Sequence, residues 1–243
     1  MDIPTPAWPA RRVPREELAR LGPYAAVDTH TPGQPAQPPW RSMRELTEDP
    51  AVLEGRVLAV SAALSPGGDP TRVEPRVAAS TTHLGLVARL IAPAVAVATL
   101  GGSPFDQRLD ELWWQDRLGG PYPLSVASAP AMERAPGTEV VLGDGVSVLT
   151  TLIAERYRVS PRVLWGNTAS AINSAAVQIS RQQPDLTERS RFVAQALLSD
   201  PRLAHEPGTV GPEFRRASCC LIHRLSDPPA RAVCGDCVLL AAR

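Results

Sequence analysis

The chain has 243 residues, 44% of them hydrophobic, with 25 basic and 25 acidic residues and a formal net charge of zero. That length holds one large domain or a main domain with a small appendage, with enough apolar residues for a sizeable core. The charge balance excludes a general nucleic-acid or anionic-membrane binder, because such proteins carry a basic excess.

Residues 1–40 form a proline-rich segment, including the run from Pro32 to Pro39. Missing N–H donors and a fixed φ argue against regular helix there, except over Arg15 to Leu21. The segment is expected to wrap the surface or remain partly disordered. Met1 to Pro14 has no apolar core of the kind a signal peptide needs. All 25 basic residues are arginine, a bias typical of GC-rich bacterial coding sequences.

Helical signals begin near Trp40. Asp49-Pro50 makes an N-cap and first-turn pair for a helix through Val52, Leu53, Val57, Leu58 and Val60. The turn Ser65-Pro-Gly-Gly-Asp-Pro70 ends it. Pro75 opens the next helix, whose apolar stretch Leu90 to Leu100 is 11 residues long and expected at the centre of the domain, kinked or split at Pro93. A membrane span needs about 20 apolar residues, so none is expected here. Gly101-Gly102 terminates the helix.

Asp110 to Arg117, with the pair Trp113-Trp114, reads as a short helix or turn. Tyr122 to Ser128 and Thr138 to Leu142 have strand propensity and are expected to pair as a small hairpin. Helical periodicity resumes with Val146, Leu149, Leu152, Ile153, Arg156 and Tyr157. Ser160-Pro161 is expected to cap a long helix through Leu164, Trp165, Ala169, Ile172, Ala176 and Ile179, and Thr187 to Ser199 makes another, ended by Asp200-Pro201. The fold class that follows is mainly α: a helical body over 41–211, a minor β element, and a small cysteine-bearing tail over 212–243.

All four cysteines fall in that tail, as Cys219, Cys220, Cys234 and Cys237. Clustered thiols in a reducing cytoplasm, where the chain is expected to reside, are more often metal ligands than disulfides. Four thiolates bind zinc or an iron–sulfur cluster. Cys234-Gly-Asp-Cys237 suits either one. The vicinal pair Cys219-Cys220 suits zinc poorly, because adjacent side chains diverge and meet one tetrahedral ion only through a strained ring. A two-iron cluster spreads its terminal positions over two metals, so each vicinal thiolate can serve a different iron. A vicinal disulfide is a third, strained possibility.

The tail also resembles the FhuF-type ferric siderophore reductases. Their C-terminal signature is Cys-Cys, about ten residues, then Cys-x2-Cys, and it binds a 2Fe–2S cluster. The similar text is Arg216-Ala-Ser-Cys-Cys-Leu-Ile-His-Arg-Leu225 and Cys234-Gly-Asp-Cys-Val238. His83-Leu-Gly85, Arg89-Leu90, Leu112-Trp-Trp114 and Val163-Leu-Trp-Gly-Asn-Thr-Ala169 are similar to the helical body of that family, so the likeness runs from about residue 50 to the end. Thirteen residues, Leu221 to Val233, separate Cys220 from Cys234, three more than the usual spacing.

The resemblance implies a 2Fe–2S cluster on Cys219, Cys220, Cys234 and Cys237, and a ferric siderophore as substrate. It also implies an external electron donor (a reductase, ferredoxin or reduced flavin), since no Gly-rich dinucleotide fingerprint is present. Fe(III) is held by hard anionic oxygens that bind Fe(II) far more weakly, so one electron is enough to release it. Arg215, Arg216 and Arg224 flank the first cysteine pair and are candidates to attract an anionic chelate or an acidic partner, or are solvated surface arginines. His223 is a candidate ligand in place of a thiolate, or a donor to one. Trp113, Trp114 and Trp165 line a pocket or pack in the core. Asp236 sits between two ligands, where a carboxylate would lower a cluster's potential, or it caps the turn. Two alternatives remain open: a zinc-stabilised, non-enzymatic binding protein, and a 2Fe–2S electron carrier or redox sensor. The body also looks like part of the C-terminal region of siderophore synthetases, but their nucleotide-binding half has no counterpart here.

Overall fold

A computed structural model of the chain describes residues 11, 13–103, 105–128, 140–225 and 233–240. The protein is mainly α-helical with a small four-stranded sheet. The helices are α1 (Arg15–Arg20), α2 (Glu45–Glu48), α3 (Pro50–Leu64), α4 (Pro75–Thr99), α5 (Asp144–Tyr157), α6 (Pro161–Gln182) and α7 (Thr187–Leu198). The strands are β1 (Asp28–His30), β2 (Arg41–Ser42), β3 (Leu112–Trp114) and β4 (Leu124–Ala127).

Helix boundaries follow local chemistry. Asp49 accepts a hydrogen bond from the Ala51 N–H at 2.9 Å and Pro50 fills the first turn of α3. At the end of α4, the Gly102 N–H donates to Val97 O and the Gly101 N–H to Ala98 O. Gly101 has φ +83°, so the two bonds close a Schellman stop that needs glycine at the left-handed position. α4 runs unbroken through Pro93, so the expected split does not occur. α6 does begin at Pro161, but Ser160 makes no side-chain capping bond.

α4 is the central element and packs most extensively against α6, with α3, α5 and α7 around the pair. Small buried residues on both helices (Ala78 and Ala79 on α4; Ala169, Ala175 and Ala176 on α6) let the two backbones come close. By length and mean hydropathy (1.5), α4 could cross a membrane, but 72% of its most apolar window is buried inside the protein, the burial of a core helix.

The sheet corrects three expectations. Trp113-Trp114 lies in β3, not in a helix or turn. β4 does not pair with the segment near Leu142, where 140–142 are irregular and Thr138 and Glu139 lie outside the described residues. Instead β4 is antiparallel to β3 and parallel to β1, and β3 is antiparallel to β2, giving the order β1-β4-β3-β2. The proline-rich segment therefore contributes a strand, and it also buries Leu18, Leu21 and Ala25 in the main core.

The tryptophans are packed, not poised. Trp114 is fully buried and meets Tyr122 edge-on at 5.6 Å, with the Arg56 guanidinium 5.8 Å from both rings. Trp113 stacks on His30 at 3.8 Å.

Candidate metal centre

The C-terminal segment is laid across the α4–α6 pair by side chains of the body. The Gly211 N–H donates to Asn173 Oδ1 at 2.7 Å, and Phe214 is buried in the core. Ser218 Oγ donates to Arg162 O at 3.0 Å, and Ser80 Oγ on α4 donates to Cys220 O at 3.0 Å. The Ala217 N–H donates to Glu206 Oε2 at 2.8 Å. The approach to α6 is close enough to require Gly166. A Cβ there would lie 2.2 Å from Ser218 Oγ, 3.0 Å from Arg216 Nη2 and 3.2 Å from Glu206 Oε1.

The two cysteine segments then meet. The Arg216 N–H donates to Asp236 O at 3.1 Å, joining the first segment to the second. Within the second, the Cys237 N–H donates to Cys234 O at 3.1 Å, closing a tight turn. Across the segments, Cys220 Sγ and Cys234 Sγ lie 3.4 Å apart and share a hydrogen bond. Cys219 Sγ accepts from the Leu221 N–H, and Cys237 Sγ from the Leu239 N–H, each at 3.4 Å. His223 Nδ1 lies 3.0 Å from Cys219 Sγ. All four thiols are free, with Cys220 and Cys237 buried and Cys219 and Cys234 half-buried. Leu221, directly after the vicinal pair, has φ +73°, a left-handed conformation that costs a side-chain-bearing residue about 1–2 kcal/mol. Backbone strain of this kind concentrates at functional sites.

The electrostatics couple the thiols. Burial pushes the Cys219 thiol up, offset by the Leu221 N–H and raised further by the neighbouring Cys220 and Cys237. The shared hydrogen bond with Cys234 holds Cys220 down at about 6, against its burial, with Arg216 helping. The same bond pushes Cys234 up. Bare, the pair gives up its first proton easily and its second with difficulty, and a cation between the sulfurs would remove both.

Among the described residues, no three His, Cys, Asp or Glu side chains form a group able to hold one metal ion. One thiol pair is close across the segments, Cys220 with Cys234. Two thiolates on one tetrahedral metal with bonds of about 2.3 Å sit about 3.8 Å apart, close to the Cys220–Cys234 separation. That leaves Cys219 and Cys237, each with an N–H donor to its sulfur, for a second metal. The donor set fits a two-metal cluster.

Beneath the thiols lies a buried polar layer. Arg216 Nη2 donates to Asn167 Oδ1 at 2.7 Å and to Val163 O at 3.1 Å. Asn167 Nδ2 donates to Ser80 O at 2.9 Å and faces His83 Nδ1 at 3.5 Å. His83 Nε2 lies 3.0 Å from Thr150 Oγ1, whose own proton goes to Val146 O. Thr150 must therefore accept from His83 Nε2–H, and with the Asn167 Nδ2–H facing Nδ1 the second ring nitrogen is an acceptor, which makes the ring neutral. Burial, aided by the Arg216 charge, lowers its pKa to about 3.

Sequence reasoning singled out the four cysteines and the structure brings their two segments together. It expected Arg216 at the surface, whereas Arg216 is 1% exposed and reaches no docked chelate. Arg224 is exposed and paired with Glu74 at 2.7 Å, and Arg215 donates to Pro212 O and Phe214 O. His223 is within hydrogen-bond distance of a thiol, and Asp236 joins the segments through its carbonyl while its Oδ2 is buried without a partner. Trp165 is half-buried with the Arg202 guanidinium 5.4 Å from its ring. Ser80, His83, Gly166, Asn167 and Glu206 were not anticipated as parts of the site. For the four on α4 and α6 the signal was present as polar residues and a glycine at buried helical positions, whereas Glu206 lies in a bend beyond α7.

Compared with protein-family models, with curated proteins and with solved structures, the chain finds no match.

Proposed function

We propose that the chain is an iron–sulfur ferric siderophore reductase of the FhuF type. The observation that carries the reading is the pairing of Cys220 with Cys234 across the two segments, which splits the vicinal cysteines. One tetrahedral zinc would draw all four sulfurs to a single point, whereas a two-iron cluster takes them two by two.

When bound, such a cluster supplies one electron at a time. Cys219, Cys220, Cys234 and Cys237 would hold it. Cys219 and Cys234 are half-buried and would be the ligands more accessible to a docked chelate, whereas Cys220 and Cys237 are buried in the protein. Arg215 and Arg224, near the first cysteine pair in sequence, would be the cationic groups for an anionic ferric chelate, with Arg224 exchanging its Glu74 partner for it. Overall, one electron from a reduced ferredoxin or flavin partner converts chelated Fe(III) to Fe(II), and the oxygen ligands then release the metal. No general acid or base in the chain is needed for that step. A reducing cytoplasm would keep the thiols competent to load.

The test is protein purified without oxygen, with its visible spectrum, iron, sulfide and zinc measured on one sample, followed by ferrous-iron release from ferric hydroxamate and catecholate chelates. Two irons and two sulfides per chain, a brown colour that bleaches on reduction, and Fe(II) release are expected. A colourless chain with one zinc would replace the proposal with a structural zinc site. A loaded cluster that reduces no ferric chelate would leave an electron carrier or redox sensor.

A further inference from the structure

Three arginines are buried among the described residues: Arg56, Arg89 and Arg216. Arg56 has the Asp116 carboxylate at 2.6 Å and the Arg117 carbonyl at 2.8 Å. Arg89 spends Nε, Nη1 and Nη2 on the carbonyls of Tyr122, Tyr24 and Ala26. Arg216 is the most buried of the three, yet only its Nη2 is occupied, and its Nε and Nη1 have no acceptor. No carboxylate of the described residues forms an ion pair with it. Glu206 spends Oε2 on the Ala217 N–H, while its Oε1, which borders the Gly166 gap together with Arg216 Nη2, and Asp236 Oδ2 are buried without hydrogen-bond partners.

A guanidinium does not lose its proton to escape burial, so an unpaired buried arginine is destabilising unless an anion lies beside it. The Arg216 backbone N–H donates to Asp236 O, between Cys234 and Cys237. Asn167, which accepts from Arg216 Nη2, also donates to Ser80, whose Oγ donates to Cys220 O, so the cysteine site adjoins the Arg216 charge. Neutral thiols do not compensate it. Four thiolates and two sulfides around two ferric ions do, being formally a dianion when oxidised and a trianion when reduced.

We propose that Arg216 is the buried counter-charge of the cluster, a positioning residue that favours the reduced, more negative form and so raises the potential at which the centre accepts an electron. The assignment rests on the iron–sulfur reading above. It also accounts for the neutral His83, since a second buried cation next to Arg216 would oppose it.

The test compares the full-length wild-type chain with Arg216→Met and Arg216→Lys, purified without oxygen. Fold is checked by far-UV circular dichroism, loading by iron and sulfide per chain, and midpoint potential by spectroelectrochemistry. Removing the charge is expected to lower the potential by at least a tenfold change in the oxidised-to-reduced ratio, about 59 mV for one electron, with Lys restoring most of it. A folded Arg216→Met that fails to load while Arg216→Lys loads supports the same role. Equal loss of loading in both folded variants makes Arg216 a shape requirement and overturns the proposal, as does a loaded Arg216→Met with the wild-type potential. Should Arg216→Met not fold, Arg216→Gln, neutral but able to bond Asn167, reads the same shift. A wild-type chain without iron and sulfide removes the cluster reading itself, an outcome distinct from an unmoved potential.

Discussion

At the scale of single residues, the most demanding position is His83, a neutral imidazole with both nitrogens engaged and no exposure. Its folded pKa of about 3 lies below the ordinary 6.5, so the unfolded chain binds a proton that the folded chain refuses. The stability this gives is complete above the unfolded value and is lost as pH falls from there towards the folded value. Between about pH 6 and pH 4 the slope from this one group is about 1.4 kcal/mol per pH unit. His83→Gln keeps a donor and an acceptor but gains no proton, so urea-unfolding free energies measured across that range should flatten. An unchanged slope in the variant would assign the acid sensitivity elsewhere. Gly166 is demanding for a different reason. Gly166→Ala gains helix propensity of about 1 kcal/mol but forces Ser218 and the Arg216 guanidinium outward. Overpacking costs about 1–3 kcal/mol. The variant should leave the helical signal of the body intact while its cysteines react faster with an alkylating agent. Wild-type alkylation rates would show that the close approach is dispensable.

At the scale of elements, what was legible followed from how local each signal is. Asp49-Pro50, Pro75, Gly101-Gly102 and Asp200-Pro201 fix helix ends through bonds spanning a few residues, and each end falls where those residues place it. Asp49→Ala tests the strongest of these. Losing the bond to the Ala51 N–H should cost about 1 kcal/mol, read as a lower urea midpoint with unchanged slope; no change would mean that Pro50 alone sets the helix start. β4 was legible as the strand-forming run Tyr122 to Ser128; β1, β2 and β3 were not, because each is two or three residues long and β1 and β2 find their partners remote in sequence. β4 pairs with residues 28–30, and β3 with residues 41–42. No short-range pattern at Leu112-Trp-Trp114 carries that information, and the pair reads equally well as helix. At the candidate site the thiols were conspicuous in the sequence by scarcity. The layer beneath them was not, because Ser80, His83 and Asn167 fall on one side of the α4–α6 contact only once the two helices are packed.

At the scale of the whole molecule, the tail and the body depend on each other unequally. The body has its own core around α4 and α6. The cysteine segments add Phe214, buried Cys220 and Cys237 and the partly buried Leu221 and Leu225, with hydrogen bonds to Ser80, Arg162, Val163, Asn167, Asn173 and Glu206 and an ion pair to Glu74. A ligand that binds only the folded arrangement stabilises it by mass action, and that stabilisation falls first on the part with the least core of its own. Loading the four cysteines also turns two weak acceptors, the Cys219 and Cys237 sulfurs, into thiolates that bind the Leu221 and Leu239 N–H groups more strongly. Amide exchange at Leu221, Cys237 and Leu239 should therefore slow by about tenfold or more on loading, equivalent to about 1.4 kcal/mol, while amides of α4 and α6 away from Ser80 and Asn167 change little. Hydrogen–deuterium exchange on loaded and metal-free full-length chain reads this directly. Equal protection gained throughout the helices would mean that the body folds only with the proposed cluster, and the division into a self-supporting core and a ligand-stabilised tail would have to be abandoned.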